Sequence, residues 1–140
     1  MSIDVKAAVA EAMQADAMLM ALLPGGVYTV AEISRTMEPP TPFDEVGRVR
    51  PSALVRNEAS SAVGPRKRFS RHFVLVFFYA QAGYGVIDAA LERTQVLLHE
   101  RRLGGGAYQL WNADVVPDQY DDALLAYMHR ARFEVTRLRN

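Results

Sequence analysis

The chain has 140 residues, half of them apolar, and a chain of this length buries roughly 70% of its unfolded surface. This predicts a single domain spanning residues 1–140 that folds without disulfide staples. Sixteen basic and sixteen acidic residues leave no net charge, which argues against a protein whose main function is to bind nucleic acid.

The lack of cysteine excludes disulfides and thiolate metal sites, and it suits a reducing compartment or a particle assembled there. No stretch approaches the ~20 consecutive apolar residues that a membrane span needs. Met1 is not followed by the pattern of a signal peptide. We therefore expect a soluble, intracellular protein with no membrane partner.

The N-terminal segment predicts a helix that is interrupted once. Asp4 is a candidate N-cap for a helix from Val5, and Asp16 is a candidate N-cap for a short second helix, Ala17 to Leu23. Pro24 and two glycines follow it. Methionines and leucines crowd this region: Met13, Met18, Leu19, Met20, Leu22 and Leu23. We expect the methionines to fill gaps in the core. The alternative is that some of them face a neighbouring subunit.

A short strand, Val27 to Ile33, is expected next, and a surface loop or arm covers residues 31–50. This segment contains three prolines in four positions: Pro39, Pro40 and Pro42. Prolines cannot supply a central ladder of hydrogen bonds, so the segment is expected to be extended. Phe43 has no partner nearby in the sequence, which suggests a contact elsewhere.

One strand and one helix form the predicted centre of the domain. His72 to Ala80 is an unbroken run of β-branched and aromatic residues, which predicts a strand buried on both faces. After the glycine turn at Gly83–Gly85, apolar residues recur every three or four positions. They predict a helix that packs back on the sheet, with one apolar side: Ile87, Ala90, Leu91, Thr94, Leu97 and Leu98. Arg101 and Arg102 are expected in its last turn.

Three further strands complete the prediction. Ser52 to Val63 suggests an edge or second strand, Ala107 to Val116 a later one, and Leu124 to Leu138 alternates clearly enough for a half-buried antiparallel strand. A loop or hairpin turn is expected at residues 117–122. The fold class is therefore α+β: an interrupted N-terminal helix and a mostly antiparallel sheet of about four to five strands, with one long helix packed on it.

The sequence shows little that would support catalysis. His72, His99 and His129 lie on three different predicted elements without metal-ligand spacing, and we expect ordinary surface or half-buried histidines. No serine lies in a nucleophile elbow, and the glycine runs lack the lysine and hydroxyl of a phosphate loop. We therefore predict that the protein is not an enzyme, with no catalytic residue, cofactor or metal.

A basic turn separates the second and third predicted strands. It contains four cations within six positions: Arg66, Lys67, Arg68 and Arg71. One interpretation is a solvated hairpin tip. The other is an electropositive feature presented to nucleic acid or to an acidic surface.

The order of these elements resembles the tail completion family of long-tailed bacteriophages, the tail terminator proteins. Members of that family often have Ala-Asp near the middle of the first helix, a Leu-Leu-x-Gly-x-Val-Tyr exit and then prolines. They also have an extended strand leading into an apolar helix, and a closing strand with Phe-x-Val. The matching stretches here are Ala15 to Tyr28, Pro39 to Pro42, Phe73 to Leu98 and Arg132 to Val135. The segment 29–50 is longer than the usual loop.

The resemblance implies a structural virion protein that forms a ring, usually of six copies, at the head-proximal end of a tail. Such a ring ends growth of the tail tube and joins the tail to head-side neck or stopper proteins, with genomic DNA passing through its lumen. It implies assembly in the host cytoplasm, and it gives two sets of residues a role. One set would face the lumen and its DNA, or a partner protein: Arg66, Lys67, Arg68 and Arg71. An inter-subunit arm would be formed by Pro39, Pro40, Pro42 and Phe43.

Two other functions stay open at this point. The first is another head–tail neck component, such as an adaptor or head-closure protein. The second is a small α+β nucleic-acid-binding module, which the basic turn and the aromatic strand favour. Against that module, the aromatic residues of the central strand occupy both of its faces, as expected of core residues and not of a base-stacking platform: Phe73, Phe77, Phe78 and Tyr79.

Overall fold

The structure is a computed structural model that describes residues 5–63, 69–104, 106 and 108–137. Its helices are α1 (Val5–Gln14), α2 (Ala17–Leu22) and α3 (Gly85–Leu98). Its strands are β1 (Gly26–Tyr28), β2 (Ser52–Val63), β3 (Phe69–Ala80), β4 (Arg102–Leu103), β5 (Tyr108–Asp121) and β6 (Ala126–Arg137). The predicted N-cap at Asp4 lies outside the described residues.

All six strands form one sheet in the order β1-β2-β3-β6-β5-β4. The pair β1–β2 is parallel, and every other neighbouring pair is antiparallel. The predicted α+β class is confirmed. The sheet has one strand more than expected, because β4 pairs with the start of β5. A strand of two residues is too short to show an alternating pattern in the sequence.

The three helices cover one face of the sheet, which we call the helix face. Every second residue of β3 points into this layer because successive side chains of a strand alternate between faces. Val74, Val76 and Phe78 are at most 1% exposed. The helices contribute residues at helical spacing to the same core cluster: Val9, Ala10 and Met13 from α1 and Ile87, Ala90 and Leu98 from α3. Burial of this apolar layer is the main stabilising contribution.

The opposite face, which we call the second face, is covered only in part. The irregular segment 29–50 folds back across it and forms a smaller core cluster. Ile33 and Val49 of this segment are buried against Leu54, Tyr79 and Leu124. Away from the segment, the second-face residues of β3 are only half-buried. The expectation that β3 is buried on both faces therefore holds only where this segment covers the sheet.

Several predicted boundaries were wrong for physical reasons. The first strand ends at Tyr28, because the chain leaves the sheet to cover the second face. Residues 117–121 are not a loop but part of β5, which continues past a register shift between Val116 and Gln119. The hairpin turn that follows lies at residues 122–125. The helix α3 ends at Leu98, so Arg101 and Arg102 follow it instead of occupying its last turn.

Candidate functional site

The described residues contain no group of three or more histidine, cysteine or acidic side chains that could hold a metal ion. No helix among them is long and apolar enough to cross a membrane. The remaining candidate features among the described residues are exposed surfaces and buried polar groups.

His129 is fully buried, which the expectation of a surface or half-buried histidine missed. Its Nδ1 accepts a hydrogen bond of 3.0 Å from the backbone N–H of Asp118, so the proton lies on Nε2, which contacts the carboxylate of Asp88. The ring of Tyr84 stacks on the imidazole at 5.1 Å, and its hydroxyl donates to Gln119 O. These contacts tie the first turn of α3 to the irregular part of β5, so His129 has a structural role.

The basic turn is carried by a two-stranded ribbon. β2 and β3 pair as far as Val63 and Phe69, whereas the last β3 residue paired with β6 is His72. Beyond His72 the described part of β3 therefore has β2 as its only neighbour, and the ribbon projects from the sheet. Three of the predicted basic residues, Arg66, Lys67 and Arg68, lie outside the described residues, and so does the side chain of Arg71.

The proline-rich segment is held by its own chain. The guanidinium of Arg35 lies 5.1 Å from the centre of the Phe43 ring, and Phe43 packs against the second-face cluster. Its backbone also bridges to Val49. Phe43, which has no partner nearby in the sequence, thus makes its contacts with residues of its own chain that lie several positions away across a turn. Pro42 is buried, while Pro39 and Pro40 remain exposed.

The uncovered half of the second face carries a charged network. Arg132 Nε lies 3.0 Å from Asp114 Oδ2 and Arg132 Nη1 lies 3.7 Å from Glu58 Oε2; these are ion pairs without well-aligned hydrogen bonds. The same guanidinium lies 4.4 Å above the ring of Phe73. Arg132 therefore shields an aromatic side chain that would otherwise be open to solvent.

The helix layer presents an open apolar groove between α2 and α3. The groove has a volume of about 480 Å³ and is bordered mainly by apolar side chains: Met18, Ala21, Leu22, Ala89 and Val96. Met18 is 64% exposed and Val96 is 69% exposed. Large apolar side chains that project from neighbouring helices into solvent are typical of an interaction site. We call this surface the helix groove.

One ion pair joins the two helices that border the helix groove. Arg93 of α3 donates two hydrogen bonds of 2.8 Å to Asp16, the N-cap of α2. Asp16 also accepts from the backbone N–H of Leu19 at 3.1 Å, which confirms its predicted capping role. The hydrogen bond from Arg93 is the main reason that the pKa of Asp16 is lowered, with smaller contributions from Leu19 N–H and nearby cations.

This ion pair predicts an acid-dependent loss of stability. Because folding lowers the pKa of Asp16 below its ordinary value of 3.8, its contribution is complete above that value and disappears as the pH falls below it. Asp16→Asn keeps a good N-cap but removes the charge. In urea unfolding measured at a series of pH values, we expect the wild type to lose stability below about pH 4 more steeply than this variant. Parallel profiles would show that the ion pair contributes nothing.

No protein-family model matches the chain, and no curated protein matches it. Seven chains of solved structures match its fold. One belongs to the virion of a native gene transfer agent (GTA) particle, with a TM-score of 0.66 and 18% sequence identity over 95% of this chain and 93% of that chain. The two chains share a fold.

Among the apolar residues of the helix groove, only Met18 and Leu22 were singled out from the sequence. Met18 was expected to fill the core or to face a neighbouring subunit, and at 64% exposure it does not fill the core. Val96 lies outside the apolar stripe of α3. This position off the stripe is the local signal from which its exposure could have been predicted. The partnership of Arg93 with Asp16 joins residues 77 positions apart, so no local pattern contains it.

Proposed function

We propose that this chain is a structural virion protein that forms a ring at the head-proximal end of a phage-type tail. The ring ends growth of the tail tube and joins the tail to the head. One observation carries the proposal: the fold is shared, over nearly the whole of both chains, with a chain of a gene transfer agent virion. The resemblance of the sequence to tail terminator proteins supports the same role from a separate starting point.

The architecture suits a ring subunit. Head-to-tail contacts use two different surfaces of each copy, and they close into a ring when the rotation per copy permits. The chain offers distinct surfaces in the helix groove, the uncovered half of the second face and the projecting β2–β3 ribbon. In this proposal its partners are further copies, in a ring of six, the tail tube protein and a head-side neck protein.

The projecting ribbon is assigned to the lumen of the ring. Arg66, Lys67, Arg68 and Arg71 belong to the segment that joins or ends its two strands, and they meet the phosphates of the passing DNA there. Four cations per copy give a positive lumen in a chain with no net charge. The exposed Pro39 and Pro40, with Pro42 and Phe43 behind them, form the arm toward a neighbouring copy.

The nucleic-acid-binding module is disfavoured by the covering of the second face. Phe77 and Tyr79 lie in the cluster under segment 29–50, and Phe73 lies beneath Arg132. A base-stacking surface needs aromatic rings that are open to solvent. The other neck component, an adaptor or head-closure protein, has the same classes of partner and is separated from the tail terminator by experiment.

Loss of the protein is the decisive test. In a particle-producing system, we expect deletion of its gene to give filled heads without tails, together with tails of uncontrolled length. Tail lengths and head attachment would be measured by electron microscopy, with the restored gene as the control. Tails of normal length beside unattached heads would identify the neck component instead. Normal particles would exclude both roles.

A further inference from the structure

The helix groove carries an acidic group that has no partner among the residues that the structure describes. Glu92 borders the groove, is exposed and makes no hydrogen bond or ion pair with any residue that the structure describes. Arg93, the cation beside it, is already engaged by Asp16. The groove therefore presents apolar side chains with one free negative charge at the border, which suits an occupant with apolar side chains and a positive charge.

A second surface of the same chain has these properties. Val46 and Leu125 lie on two neighbouring turns and border one shared depression, together with the cations Arg35 and Arg48 and one acid, Asp122. Val46 is 74% exposed and Leu125 is 57% exposed. Among the described residues, the guanidinium of Arg48 pairs with no acid. We call this surface, defined by Val46, Arg48 and Leu125, the turn tip.

The turn tip is held rigidly in its exposed position. The Asp44 carboxylate accepts hydrogen bonds from the backbone N–H groups of Val46 and Arg48, at 3.0 and 2.9 Å. Arg35 bridges the two turns by donating to Gly47 O and Leu124 O. Leu125 has a left-handed backbone with φ of 53°, which is uncommon for a residue other than glycine, asparagine or aspartate. An apolar side chain in a strained, exposed turn indicates an interaction role.

We propose that the turn tip of one copy binds in the helix groove of the next copy, with Arg48 paired to Glu92. The proposal rests on the ring proposed above and names the contact that builds it. Val46 and Leu125 would cover the apolar side chains of Met18 and Val96. The pairing of Arg48 with Glu92 at the border of the groove would determine how the two copies are aligned more than how tightly they bind.

The two surfaces belong to different layers of one chain. The turn tip adjoins Leu124, which is buried in the second-face cluster, whereas the helix groove is part of the helix layer. Because the surfaces differ, the contact is head-to-tail: each copy keeps one free groove and one free tip until the ring closes. A second copy is the occupant to test first, since the complementary charges and apolar groups are present on the same chain.

Disulfide trapping tests the contact directly, because the natural chain has no cysteine and therefore no background. Ala21→Cys places a thiol in the groove and Val46→Cys places one on the tip. Mild oxidation of the two mixed variants should give cross-linked dimers, at about tenfold higher yield than a mixture of Ala21→Cys with Val30→Cys. Val30 is also exposed, at 42%, but lies outside the turn tip. Equal yields in the two mixtures would overturn the proposal.

A charge exchange gives an independent test. Glu92→Arg and Arg48→Glu should each weaken self-association by about tenfold, as measured by sedimentation, and the two changes in one chain should restore it. Leu125→Asn should also weaken association without loss of thermal stability, because asparagine tolerates the left-handed backbone. Association unchanged by either single charge variant would overturn the proposal.

The outcome for the contact is separable from the outcome for the ring. Rings that form without the Ala21–Val46 cross-link would show that the ring uses other surfaces, and only the proposed contact would fail. Cross-linking of Val46→Cys with itself alone would indicate a two-fold contact, which also overturns it. The deletion phenotype in particles decides the proposed function without reference to either surface.

Discussion

Phe78→Ala should lower the free energy of unfolding by about 3–5 kcal/mol, the cost of removing a buried aromatic ring and leaving a cavity. Phe78 lies on the helix face of the central strand, is fully buried and pairs across the sheet with Ala53 and His129. Since the free energy of unfolding of a small domain is only about 5–15 kcal/mol, this variant should lose a large share of its stability. Urea unfolding with a full baseline on both sides would measure the change.

Phe77→Ala is the matched control. Phe77 is the same residue type at the preceding position of β3, but it lies on the second face and is only half-buried. Its removal should cost roughly half as much, because less apolar surface leaves water on folding. An equal decrease in the free energy of unfolding for both variants would mean that segment 29–50 buries the second face as fully as the helices bury the helix face.

Gly25→Ala should be the most damaging change in a loop. A Cβ atom at this position would lie 2.8 Å from Pro51 O and 2.9 Å from Arg50 O, and both of these are backbone atoms that cannot rotate away. The N–H of Gly25 also donates to Pro51 O, so the two segments are held at their present distance. Displacing them disrupts the parallel pair β1–β2, at a cost of about 1–3 kcal/mol or more. Thermal unfolding would show it.

Gly85→Ala is the control for this prediction. A Cβ atom at Gly85 meets nothing within 4 Å, and the residue opens α3, where alanine favours the helix. We expect its unfolding midpoint to stay unchanged or to rise, with a gain of up to about 1 kcal/mol. A loss of thermal stability as large as that of Gly25→Ala would show that both glycines are needed for their backbone conformation and not because a Cβ atom lacks room.

The elements that could be predicted from the sequence are those whose signal is local. The bounds of β2 were predicted as they occur, and the interrupted N-terminal helix was predicted from the cap at Asp16. Alternation and capping depend on residues a few positions apart, so one segment contains the whole signal. The end of α3 and the extension of β5 past Pro117 were missed, because pairing partners elsewhere in the sheet decide them.

The candidate surfaces were less predictable for the same reason. Phe43 lacked a partner only along the sequence, since Arg35 and the second-face cluster reach it through the tertiary fold. The burial of His129 depends on Tyr84 and Asp88, which come from a different element. The helix groove arises where α2 and α3 meet, and neither helix shows it alone. Local patterns predict elements, whereas surfaces between elements need the packed chain.

The strand order has a consequence for synthesis of the chain. β3 is flanked by β2, made just before it, and by β6, made last: residue 72 pairs with residue 135. While the ribosome is still producing α3 and β5, the hairpin of β2 and β3 therefore keeps one unpaired edge of apolar sequence. Contacts between distant residues also form slowly. The nascent chain is thus most prone to aggregation in this interval, and productive folding waits for the C-terminal hairpin to emerge.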